Sequence, residues 1–285
     1  MMARPRARAG ESFSGAGLAV ALLVTLTAMG CKKSESPSHP EISANTAPKP
    51  APAPSAPAAQ INPSLPFDGM IKSSQPLAYL RLESTSGASE IGNAQYQSSG
   101  GVSTVDACAP IDVPANHCAL FNGKDGWMTT TLMGGIGKAG SIMAWIKLAA
   151  LPSDDQRTLY VAGESENGND FDLQLEPDNN IHFYTESGDQ VYFAPDPKTL
   201  VNQWHMVVAT LDTTTQQKAL YWDGKPAAND NNGGRPNKNN QFTIGESSVF
   251  RGRYFDGAID EVAVWDRALT PQDVAALYKP KAPQP

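Results

Sequence analysis

The sequence has no excess of basic charge. Its 22 Lys and Arg stand against 29 Asp and Glu, for a net charge of −7 over 285 residues. Nothing in that balance favours nucleic acid or an anionic membrane surface as a partner. Histidine is scarce too: the four, His39, His117, His182 and His205, are scattered. With three cysteines they make no zinc-site spacing. There is no Gly-x-Ser-x-Gly nucleophile elbow. The apolar stretch Leu18 to Thr27 is about ten residues, half of what a membrane-spanning helix needs. Gly135-x-Gly137-x-x-Gly140 has the spacing of a dinucleotide fingerprint, but it opens onto a strand pattern rather than a helix. Gly137-Lys138 also lacks the hydroxyl residue of a phosphate-binding loop.

What is present at the start is an export signal. Arg4, Arg6 and Arg8 precede the Leu18–Thr27 apolar region, and Ala28-Met29-Gly30-Cys31 comes after it. Small residues just before a cysteine resemble the lipobox of bacterial lipoproteins. The resemblance implies cleavage after residue 30, acylation of Cys31, and attachment to the membrane by lipid alone. Lys32 and Lys33 come next, with no aspartate. The expected location is the cell envelope, and the outer membrane if the cell is Gram-negative. Residues 31–66 then alternate proline with alanine and serine. Such a segment cannot bury a core and is expected to be an extended linker, reaching on the order of 100 Å at ~3.1 Å per residue.

Residues 67–280 are expected to form one all-β domain, with 281–285 a tail. Short apolar stretches recur with turn signals between them. Strands are expected at Leu77–Glu83, Trp127–Leu132 and Ser141–Leu148, and then near 156–162, 170–176, 180–186, 190–194, 203–212, 217–223 and 241–245. A polar, Gly- and Ser-rich excursion separates the first strand from residue 107. Asp223-Gly224 is a tight-turn signal, and 229–240 reads as a long loop. Phe255 to Trp265 is apolar on both faces, so it is expected to be a central strand. Strict alternation puts Ala258, Asp260, Val262 and Val264 on one side of it, with Ile259, Glu261, Ala263 and Trp265 on the other. Thr270-Pro271-Gln272-Asp273 carries the cap, first-turn proline and first-turn acid of a short C-terminal helix. Apart from Cys31, the mature chain has two cysteines, Cys108 and Cys118, which in an exported protein read as a disulfide.

Several of these segments resemble a known family when taken in order. They are Ser141 to Leu148, Gln203-Trp204-His205-Met206-Val207-Val208-Ala209-Thr210, Leu220-Tyr221-Trp222-Asp223-Gly224-Lys225, Thr243-Ile244-Gly245, and Phe255 to Leu269. Together they are similar to laminin-G-like domains of the concanavalin A-like lectin/glucanase superfamily. The resemblance implies a two-sheet antiparallel jelly-roll sandwich. It also implies a possible structural calcium ion, for which Asp260 and Glu83 are the candidate ligands. A shared site would need more oxygens than those two supply.

The expected function is that of a surface-displayed module that binds a glycan or another extracellular polymer. The alternatives are an adaptor that binds a protein partner and a glycoside hydrolase. Sugar binding would use aromatic faces, and Tyr184, Tyr192, Tyr254 and Trp127 are the candidates. Hydrolysis would need two carboxyl groups about 5 Å apart for a retaining reaction. Asp170, Asp172 and Glu176 only loosely imitate the Glu-x-Asp-x-x-Glu of the glucanases, so no catalytic residue is assigned. That strand is expected to show its carboxylates to solvent. The domain is expected to be monomeric.

Overall fold

The computed structural model describes residues 61–280, except 107, 114, 134–135, 165–169, 187–188 and 235–240. The signal, Cys31 and the linker up to residue 60 lie outside the described residues. Within them, two antiparallel sheets of eight strands each face one another. The first sheet runs Lys225–Asp230, Gln217–Trp222, His205–Asp212, Ala139–Leu148, Asp256–Trp265, Cys118–Asn122 and Val102–Val105, and Ala78–Leu80 also pairs with Asp256–Trp265. The second runs Asp189–Phe193, Ile181–Glu186, Phe171–Leu175, Leu159–Glu164, Gln241–Ile244, Trp127–Met133, Gln95–Ser99 and Ser86–Ala88.

Alternating residues of both sheets fill the space between them. Ile142, Ala144, Ile146 and Leu148 meet Phe171, Leu173, Leu175, Phe183 and Ile244 there. The first sheet is also buried on its other face, because a third layer covers it. Helix Phe67–Ser73, the segment around Ala109–Val113 and helix Pro271–Leu277 pack on Met143, Trp145, Met206, Val208 and Trp265. This second core explains why Asp256–Trp265 reads as apolar on both sides. The Trp265 indole N–H donates to Ser74 Oγ at 2.8 Å, which ties the covering helix to the central strand.

Three features depart from the sequence reading. First, residues 61–66 belong to the fold, not to the linker: Ile61 is buried against the second core. Second, the Gly- and Ser-rich excursion holds three strands, Ser86–Ala88, Gln95–Ser99 and Val102–Val105. They are short and largely exposed, so they lack the apolar alternation that marks a strand in sequence. Third, the central strand does not alternate strictly. A bulge falls between Asp260 and Ala263, with Glu261 at φ +54°. One extra residue reverses the parity beyond it. Ile259, Val262 and Val264 therefore share the inter-sheet core, while Ala263 and Trp265 face the covering layer. Asp260 is not in line with the two valines.

The expected turn at Asp223-Gly224 forms, with both residues left-handed at φ 50° and 76°. A Cβ on Gly224 would lie 2.5 Å from Tyr278 Cβ, so glycine serves both the turn and the close approach of the C-terminal helix. The helix starts as its sequence requires, since Thr270 and Asp273 form a reciprocal capping box.

Candidate binding face

The outer face of the second sheet carries the polar members of its strands. Phe171, Leu173 and Leu175 point into the core, so Asp172 and Gln174 point outward. On the next strand, Ile181 and Phe183 point in, and His182 and Tyr184 point out. On the edge strand, Tyr192 lies directly opposite His182, and Gln190 opposite Tyr184. Cross-strand pairing thus gathers three rings. His182 stacks on Tyr192 with centroids 5.3 Å apart and 21° between planes, and on Tyr184 at 5.8 Å and 16°.

Hydrogen bonds hold the row in place. His182 Nδ1 lies 2.6 Å from Gln190 Oε1. The Tyr184 hydroxyl donates to Glu176 Oε1 at 3.2 Å, and Thr158 Oγ1 donates to Glu176 Oε2 at 2.6 Å. Burial and the neighbouring Glu176 raise the Tyr184 pKa, so the phenol stays protonated. Tyr192 is held differently: the residue is 57% exposed, the one aromatic residue among the described ones that is largely open to solvent. A flat ring open to solvent above a rigid stack is a platform for an apolar face such as that of a sugar ring.

The centre of the same face is covered, which corrects the expectation of a solvent-exposed carboxylate strand. Asp172 and Gln174 are 0% and 2% exposed, and Asp170 is 6%. The loop after Gly245 folds over them. Glu246, itself buried, accepts backbone N–H groups from Ser247, Gly252 and Arg253 and so shapes the loop. Arg253 then donates to Gln174 Oε1 at 2.6 Å, and Gln174 donates to Asp172 Oδ1 at 2.6 Å. Arg251 lies 4.2 Å over the Trp127 ring, so one face of that indole is taken. Tyr254 is half-buried where the loop returns to the first sheet. Of the four aromatic candidates, the structure brings Tyr184 and Tyr192 together and leaves Trp127 and Tyr254 apart from them. Past the loop, the face continues as a groove of about 510 Å³ lined by Gln95, Gln97, Thr129, Thr131 and Gln241.

Sequence reasoning missed His182, Gln190, Glu246 and Arg253. For the first two a signal existed: 182 and 184 alternate with core residues, as do 190 and 192, across a short connection. Pairing those stretches as a hairpin puts all four on one face. Glu246 and Arg253 act through loop geometry, which has no period.

Two of the other histidines, His205 and His117, are held by contacts within the fold, and His39 lies outside the described residues. His205 Nδ1 lies 2.8 Å from Asp223 Oδ2, its Nε2 lies 2.8 Å from the Thr199 carbonyl, and its ring stacks on Trp222 at 4.4 Å. His117 joins the candidate calcium residues under the covering layer of the first sheet. Cys108 and Cys118 form the expected disulfide beside them, with Cα atoms 5.4 Å apart. The oxygens of Glu83 and Asp260 are engaged with different partners. One Glu83 oxygen pairs with Arg81, and the other accepts the His117 backbone N–H at 2.9 Å. Asp260 Oδ2 accepts from Ala109 N–H at 3.2 Å and Asn116 Nδ2 at 2.9 Å. Burial pushes the Asp260 pKa up to about 7, against the pull of those two donors. Burial, and after it the charge of Asp260, also raises Glu261.

Comparison with known proteins agrees with this architecture. Residues 122–275 match the sequence profile of a laminin-G family described as the concanavalin A-like lectin/glucanases superfamily. Domain 4 of AbnA, a GH43 extracellular arabinanase from Geobacillus stearothermophilus solved with arabinotriose, is similar in structure. The TM-score is 0.54 at 17% identity, over 72% of this chain and 98% of that one. The receptor-binding domain of botulinum neurotoxin D gives a TM-score of 0.56 at 14% identity, over 72% of this chain and 52% of that one. The binding domain of Paraclostridial Mosquitocidal Protein 1 gives 0.56 at 15%, with the same two coverages. The match thus spans about half of each of those two toxin chains. No curated protein matches the chain by sequence.

Proposed function

The chain belongs to the concanavalin A-like lectin/glucanase superfamily, and on that premise we propose that it is a non-catalytic module that holds a glycan on the outer face of its second sheet. The observation that carries this reading is the Tyr192–His182–Tyr184 stack with its exposed outer ring. The Gln- and Thr-lined groove farther along offers neutral donors and acceptors suited to sugar hydroxyls. Carboxylates on this face are engaged internally: Glu176 with Thr158 and Tyr184, and Asp172 with Gln174. That arrangement suits holding a ligand better than passing protons to it. The arabinotriose complex of the arabinanase domain makes arabino-oligosaccharides the first ligands to try.

A glycan array and then calorimetry on the purified protein test the reading. Tyr192→Ala is expected to weaken the best ligand about tenfold, equivalent to about 1.4 kcal/mol, and Tyr192→Phe is expected to leave it nearly unchanged. Equal affinity of wild type and Tyr192→Ala would take the stack out of ligand binding. Release of reducing sugar that disappears in Glu176→Gln would put hydrolysis in place of binding.

In the same reading the module is held at the cell envelope by an acylated Cys31. The support is the charged start, the short apolar region and the Ala28-Met29-Gly30-Cys31 sequence. Cys31→Ala is expected to lose palmitate labelling and membrane fractionation together. Retention of both would end the anchor reading.

A further inference from the structure

Under the covering layer of the first sheet lies a cluster that ligand binding on the other sheet does not use. Glu261, at the bulge, is 0% exposed. One of its oxygens accepts the Tyr79 hydroxyl, and the other lies 3.5 Å from Arg81 Nε. Arg81 Nη2 pairs in turn with Glu83. Beside them Asp260 is also 0% exposed; its Oδ1 makes no hydrogen bond, and Arg81 Nε and Nη2 hold Glu261 Oε1 and Glu83 Oε1 as ion pairs rather than as aligned hydrogen bonds. His117 closes the outer end, with Nδ1 3.1 Å from Glu83 and Nε2 3.2 Å from the exposed Asp106.

Asp260 and Glu261 are fully buried while Glu83 keeps 27% of its side chain exposed, and an acid so buried either holds a proton or needs a cation beside it. A calcium ion would demand six to eight oxygens converging at 2.3–2.6 Å. With one oxygen of Glu83 and one of Glu261 engaged by Arg81, the residues present do not offer that set. Among the described residues, the one trio of His, Cys, Asp or Glu with ligand atoms all within 4.8 Å of one another is Cys108, Cys118 and Asp260. Its two sulfurs are bonded to each other. One oxygen each of Glu83 and Glu261 turns toward Arg81, whose side chain is only 17% exposed. Guanidinium suits the task because its planar fork serves two carboxylates at once and never loses its charge.

We infer that Arg81 is the resident cation of this acid cluster, standing where a divalent ion would otherwise be needed, and that the fold is consequently indifferent to calcium. The consequence reaches beyond ligand binding: the domain keeps its shape where calcium is absent or chelated. Removing the guanidinium leaves Glu83, Asp260 and Glu261 without a fixed positive charge, and such a cluster recruits a hard cation.

The test is thermal melting of the full chain in 5 mM CaCl₂ and in EDTA. Wild type and Arg81→Lys are expected to melt within about 1 °C of themselves in the two buffers, since a ligand that does not bind the folded state shifts nothing. Arg81→Ala is expected to melt lower, and to regain several degrees in CaCl₂ but not in NaCl of equal ionic strength. If Arg81→Ala does not fold, refolding it with and without CaCl₂ replaces the melt, and recovery only with calcium is the expected result. A wild-type melt that rises with calcium or falls in EDTA overturns the inference. So does an Arg81→Ala chain, folded or refolding, that ignores calcium.

Discussion

Asp260 shows how much one residue's neighbourhood decides. Its carboxyl, pushed up to about 7, lies above the unfolded value of about 3.9. The folded chain therefore holds that proton more tightly than the unfolded chain does. The resulting stability is fully present below about pH 4 and is lost as pH rises through about 7. Asp260→Asn keeps an acceptor for Ala109 and Asn116 and removes the charge. Its melting temperature is expected to fall less between pH 5 and 8 than that of wild type, and an identical pH profile would count against burial as the cause. His205 acts in the same direction. Burial opposes its charge, but the Asp223 carboxylate and the Thr199 carbonyl outweigh it and raise its pKa. Its contribution is present below about 6.5 and lost as pH rises through the raised folded value. That Asp260 is buried was legible from its place among apolar residues. Its partners were not, because Ala109 and Asn116 lie more than 140 residues away in sequence.

Elements were legible to the degree that they alternate. The strands at Phe171–Leu175, Ile181–Glu186, His205–Asp212 and Gln217–Trp222 fall within about two residues of expectation, since one face of each enters the inter-sheet core. Strands with no buried face gave no such signal, and neither did helix Phe67–Ser73, whose sequence lacks a capping side chain and begins after a proline. The bulge at Glu261 was hidden for a different reason. A one-residue insertion leaves composition unchanged and reverses only the parity of the residues beyond it. Urea unfolding tests two of these elements. The Cys108–Cys118 bridge closes a separation of ten residues, so replacing both cysteines with serine is expected to cost about 3 kcal/mol. Thr270→Ala removes the side-chain half of the capping box and is expected to cost about 1 kcal/mol by the same measurement. No change in the midpoint for either variant would contradict the assignment.

At the scale of the molecule, the two sheets are treated differently. The centre of the first is covered on both faces, whereas the second leaves part of its outer face open. The sealing layer begins at Ile61 and helix Phe67–Ser73, so the folding unit starts earlier than composition suggests. A chain begun at residue 75 would lose the Ser74 bond to Trp265 and the part of the second core made by Ile61, Phe67, Met70 and Ile71. It is expected to be insoluble or molten, where a chain begun at residue 61 is soluble; two equally soluble chains would deny the layer its role. This layering also sorts the chromophores. The two fully buried tryptophans, Trp145 and Trp265, both belong to the covered side of the first sheet, and the core between the sheets is filled instead by phenylalanines such as Phe121, Phe171, Phe183 and Phe242. Intrinsic emission from these two is thus weighted toward the docking of the covering layer, while Trp222 reports from the edge of the inter-sheet core. If that layer detaches first, a red shift in fluorescence will precede the loss of β-type circular dichroism, and the two curves will separate along the denaturant axis.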